Sequence, residues 1–153
     1  MKKTISLVLS LILICCLDFA LFGCQSEKTY YWEFEQNSSQ VTEIKIIVTP
    51  YGEHFDTSTY KVVKEIDASY ADEMYDDVNS ITMTHYYGSL GAPGGLCILI
   101  NFNNGEFDVI SNRESKHYKY DENGNIVGYN SWLTSDSDDF YSVITKYIAI
   151  EME

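Results

Sequence analysis

Positive charge is what this chain most lacks. Its 153 residues hold one arginine, Arg113, and nine lysines against 23 aspartates and glutamates. Nucleic-acid binding rests on clustered Lys and Arg, so that partner class is excluded. Phosphoryl transfer would likewise lack its cationic clamps. Cysteine is scarce after residue 24, where only Cys97 follows. No intramolecular disulfide can therefore staple residues 25–153, which must stand on packing. That stretch is long enough to bury a core as one domain. The apolar run Ile5–Leu17, 13 residues, falls short of the roughly 20 needed to span a bilayer. A Gly-x-Ser-x-Gly elbow and a phosphate-binding Gly-Lys-Ser/Thr are missing too.

What is present at the start is an export signature. Lys2 and Lys3 precede the apolar run, and Leu21-Phe22-Gly23-Cys24 follows it. This tetrapeptide resembles the lipobox of bacterial lipoproteins: Leu, a small or β-branched residue, Gly or Ala, then Cys. Phe22 is bulkier than the pattern. The resemblance covers residues 1–24 and implies diacylglyceryl transfer to the Cys24 sulfur with cleavage before it. Two or more acyl chains, at about 0.8 kcal/mol per buried CH₂, anchor a protein stably. The expected organisation is a signal peptide over 1–23, a lipidated Cys24 with a short tether over 24–29, and one domain over 30–153. The expected location is the extracytoplasmic face of the cell membrane. The alternatives are cleavage without lipid and an uncleaved anchor over Thr4–Gly23. The second would bury Asp18, at about 2.5–3.5 kcal/mol near mid-span.

The domain reads as α+β: a mostly antiparallel sheet of about six to eight strands with two helices on one face. Tyr30–Gln36 alternates Trp32 and Phe34 with Glu33 and Glu35, and Val41–Thr49 puts Ile44, Ile46 and Val48 on one face. Thr59–Ile66 does the same with Tyr60, Val62 and Ile66. The period then lengthens: Ile66, Tyr70, Met74 and Val78 mark a short helix, capped by Asp67 or Ser69. Asp76 and Asp77 in its last turn oppose the helix dipole. Ser80–Tyr87 is a strand. The clearest signals are Asn104-Gly105 and Asn123-Gly124, each between strand-like runs, which predict type I′ hairpins and a four-stranded meander. A C-terminal helix follows, with Ser135 as its cap, acids in its first turn, and Phe140, Ile144, Tyr147 and Ile148 facing the sheet.

Candidate chemistry is thin. His54, His85 and His117 fall in separate segments, and His54-Phe55-Asp56 is the one close His/Asp pair. Asp121-Glu122-Asn123-Gly124-Asn125 fails the calcium-loop pattern, with Ile126 at position 6 and Trp132 at position 12. It resembles a single unit of bacterial YD repeats, which is turn chemistry here. Asp136, Asp138 and Asp139 read as complements of a helix dipole. Cys97 lies in an apolar run and reads as a small core residue. The loop Gly88–Gly95, with four glycines, reads as a flexible connection and the best place for a ligand to enter. No cofactor, metal or catalytic set is expected. Without Lys2, Lys3 and Asp18, residues 25–153 carry 8 basic and 22 acidic side chains, a net charge of −14. Solubility accounts for that charge, and so would a basic partner. All 13 tyrosines also lie in this stretch. The function expected is a lipid-anchored, non-enzymatic domain that binds a basic protein or peptide, such as an immunity-type inhibitor. The alternatives are a small metal-dependent hydrolase, which needs His54, His85 and Asp56 to converge, and a structural envelope component.

Overall fold

The structure is a computed structural model describing residues 30–86 and 91–150. The expected signal, Cys24, its tether and residues 87–90 lie outside the described residues. The strands are β1 (Tyr30–Tyr31), β2 (Val41–Thr49), β3 (Lys61–Ile66), β4 (Thr82–Tyr86), β5 (Gly95–Phe102), β6 (Phe107–Ser111), β7 (Glu114–Tyr120) and β8 (Ile126–Thr134). The helices are α1 (Ala71–Asn79) and α2 (Ser137–Ala149). All eight strands form one antiparallel sheet in the order β1-β4-β8-β7-β6-β5-β2-β3. The fold is the expected α+β class, and β5 to β8 are the expected meander.

The two hairpins form where Asn-Gly placed them, but by another turn. In each Asn-Gly pair the glycine alone has positive φ, Gly105 at 84° and Gly124 at 79°. Type I′ needs it at both positions. Each turn is instead closed by the glycine N–H, Gly105 to the Phe102 carbonyl at 3.1 Å and Gly124 to the Asp121 carbonyl at 3.0 Å. That is a type I turn with glycine in the following bulge. Asp121 stabilises its turn further, accepting from the backbone of Asn123 and Asn125.

Both faces of the central strands are buried. On the helix side, Ile44, Ile46, Ile98, Ile100 and Ile110 pack beneath Met74, Val78, Phe140 and Ile144. Each such side chain contributes roughly 1.5–3 kcal/mol. On the other side, Ile47, Cys97, Leu99, Phe107, Val109 and Tyr118 pack beneath Phe55. The 51–56 segment therefore replaces the missing second helical layer.

Four local expectations change. Within Tyr30–Gln36 only Tyr30 and Tyr31 pair as strand, although Trp32 is buried as its alternation requires. Tyr60, Val62 and Ile66 do not share a face. A bulge shifts the register so that Ile46 opposes Lys64 and Ile47 opposes Val62, which reverses the side-chain parity along β3. The cap of α2 is Asp136, accepting from Asp138 N at 2.8 Å, while Ser135 Oγ meets Thr84 Oγ1 at 3.1 Å. Ile148 is exposed and Val143 takes its place in the core. Among the described residues no helix is long and apolar enough to cross a membrane.

Candidate functional site

The face opposite the helices carries the richest surface chemistry. Its cover is built from two short segments that meet at the isolated bridge Gly52–Ala92, with Ala92 N donating to the Gly52 carbonyl at 2.8 Å. The glycines make this seam possible. A Cβ on Gly91 would stand 2.6 Å from Gly52 O, and one on Gly94 would collide with the Tyr51 ring. The described half of the glycine-rich stretch is thus a packing seam.

Beneath the seam lies a buried ion pair. Lys116 Nζ is 2.7 Å from Glu114 Oε1 and donates to the Gly91 carbonyl. It ties the sheet to its cover, and removing either charge would leave the other buried. Two clefts flank this post. One, of about 330 Å³, is lined by Glu53, His54, Phe55, Lys116, Tyr118 and Gly128. The other, of about 210 Å³, lies between Tyr51, Gly91, Gly94, Arg113, Glu114 and Leu133. At its mouth Arg113 sits 5.8 Å over the ring of Tyr51, which is 60% exposed. An amphipathic ring beside a cation and clefts is a surface suited to recognition.

The histidines do not converge. His54 rims the larger cleft, whereas His85 on β4 stands edge-on to Trp132 at 4.8 Å on the helix side of the sheet. Asp56 is exposed and accepts from Ser58 N and Ser58 Oγ, and these bonds hold its carboxyl below the usual carboxylate range. Among the described residues no three His, Cys, Asp or Glu side chains could hold a metal. Asp136 is spent on the α2 cap, Asp138 is exposed, and Asp139 lines a shallow hollow with Asp77 and Lys146. Cys97 is fully buried, and burial pushes its thiol up to about 12, which removes its nucleophilicity at neutral pH.

One ionisable constellation was not anticipated from sequence. Asp108 (2% exposed) and His117 (3% exposed) meet at 2.6 Å between Oδ1 and Nδ1 on the helix side. Trp32 stacks over His117 with ring centroids 4.3 Å apart. Burial raises the Asp108 carboxyl, and the carboxylates of Glu35 and Glu106 add to that, while the His117 bond opposes it. Asp108 is in phase with the core residue Ile110, which was the available signal. Only the β6–β7 register, Asp108 opposite His117, brings the two together.

Carboxylates outnumber the cations; several cations are engaged in contacts within the fold, while Lys61, Arg113, Lys119 and Lys146 remain exposed. Lys45 pairs with Glu43, Lys146 with Glu73 and Asp77, and Lys64 donates to the carbonyls that end α2. Lys119 lies over the Tyr129 ring. Glu33, Glu53, Asp76, Glu122 and Asp138 are exposed. Tyr30, Tyr31, Tyr51, Tyr86, Tyr120 and Tyr141 are exposed as well. Compared with known protein families, curated proteins and solved structures, the chain matches none.

Proposed function

We propose that this chain is a lipid-anchored, extracytoplasmic binding domain whose partner is a basic protein or peptide. The observation that carries the reading is that the described surface exposes six tyrosines together with carboxylates that form no ion pair with a described cation. Tyrosine supplies contact area at low entropic cost, and the surrounding acids steer a cationic partner and reject acidic ones. The lipobox-like Leu21-Phe22-Gly23-Cys24 supports attachment through Cys24. With only residues 25–29 before β1, the domain would sit within about 20 Å of the headgroups.

Two measurements test the two halves separately. Membrane fractionation of the full chain and of Cys24→Ala addresses the anchor: the variant is expected to lose lipid labelling and stay unprocessed. Equal labelling of both would overturn lipidation at Cys24. Affinity capture on the full chain from envelope and secreted fractions, at low and moderate salt, addresses the partner. Retention of one discrete basic protein, weakened by salt, is expected. Recovery of the chain's own copies alone would support a structural role instead.

A further inference from the structure

The first segment after β1, residues 32–40, crosses the helix side of the sheet as a strap held by side chains. Trp32 covers His117, and Phe34 stacks on Tyr75 of α1 with centroids 3.6 Å apart. Gln36 Nε2 donates to Glu106 Oε2 at 2.6 Å, and Tyr75 OH donates to the Gln36 carbonyl at 2.9 Å. Glu35 accepts from Tyr129 OH and Asn130 Nδ2. The far end is fixed where Asn103 N donates to the Gln40 carbonyl at 2.9 Å.

The pair under the strap is under-compensated. Asp108 Oδ2 is buried and accepts no hydrogen bond from any described residue. The other ionisable groups facing the pair are Glu35 from the strap, Glu106 from the β5–β6 turn, Tyr75 from α1 and Tyr129 from β8, with Lys119 Nζ 5.0 Å from the Tyr129 ring centroid. Only a proton shared with His117 offsets the Asp108 charge directly. Its loss leaves a carboxylate sealed under Trp32 beside two further carboxylates, and a buried charge without a partner opens the structure to water.

We propose that residues 32–40 are a pH-sensitive strap, latched while the Asp108–His117 pair beneath Trp32 holds its proton and released when that proton is lost. β1 adds only two paired residues, both exposed, so it does not hold against loss of the strap. Release would free residues 30–40 and add about 36–40 Å to the reach of the tether. The consequence for reach rests on the lipid anchor; the latch itself does not.

Hydrogen exchange on the full chain in detergent tests the latch directly. Strap amides are compared with β5 amides at each pH from about 5 to about 9, on either side of neutrality. Strap protection relative to β5 is expected to fall about tenfold or more across that range. Asp108→Asn should keep the strap closed and make the ratio flat. His117→Gln should open it at lower pH. Phe34→Ala, which leaves the pair intact, should shift the whole profile toward opening and serves if either buried variant fails to fold. A flat wild-type ratio, or the wild-type profile in Asp108→Asn, would overturn the proposal. The lipidation test above is independent, so either idea can fail alone.

Discussion

Single carboxylates in this protein act in two opposite ways on stability. Asp56, Asp67 and Asp121 accept hydrogen bonds from Ser58, Ser69 and Asn125, which hold their carboxyls below the usual range. Their contribution is present above the unfolded value and is lost as pH falls through the folded one. Asp108 has the reverse sign. Burial raises it, so its contribution is full below the unfolded value and is lost as pH rises through the folded one. Urea denaturation of wild type and Asp108→Asn at a series of pH values should show the variant gaining on wild type as pH rises above about 4. A constant difference would contradict this assignment. Cys97 gives a simpler test. Cys97 should resist thiol reagents while the protein is native and react fully in denaturant, because the sulfur is both sealed and protonated.

Secondary structure was legible in the sequence wherever one local rule decided it. The meander followed from the Asn-Gly pairs, and α2 from its acidic start and apolar spacing. The turn type was not legible, because Asn-Gly serves both a type I′ turn and a type I turn with a glycine bulge. The parity of β3 was hidden by its bulge, which leaves no mark in composition. Asp77 shows how an element's apparent defect resolves. It sits in the last turn of α1, where the dipole disfavours it, but accepts from Lys146 Nζ and Tyr147 OH at 2.6 Å each. The acid thus pins α1 to α2. Tyr147→Phe removes one of those bonds and should cost about 1–2 kcal/mol in chemical denaturation. Gly124→Ala, which forces φ of 79° on a residue with a Cβ, should cost about 1–2 kcal/mol. A cost near zero there would mean that the turn rearranges.

At the scale of the whole molecule the dominant fact is charge. Residues 25–153 hold 22 acidic and 8 basic side chains, and of the basic ones Lys45, Lys64 and Lys116 are drawn into contacts within the fold, while Lys61, Arg113, Lys119 and Lys146 stay exposed. The same division explains why the candidate site was only partly legible. Tyrosine and acid content were countable, but which side chains the fold consumes depends on contacts such as Lys116 with Glu114 and Gly91. A net charge of −14 on residues 25–153 makes the compact state self-repulsive at low ionic strength. Added salt screens that repulsion, with a Debye length falling from about 30 Å at 0.01 M to about 8 Å at 0.15 M. The exposed ion pair of Lys146 with Glu73 is screened as well, but such pairs contribute little. The Lys116–Glu114 pair is buried and feels salt least. Thermal denaturation should therefore move to higher temperature between those two salt concentrations, whereas binding of a basic partner should weaken over the same range. Under the proposed function the two responses have opposite signs, because the carboxylates that oppose compaction would also attract the basic partner. If stability fell with salt instead, internal ion pairs would outweigh surface repulsion in setting the stability of the fold.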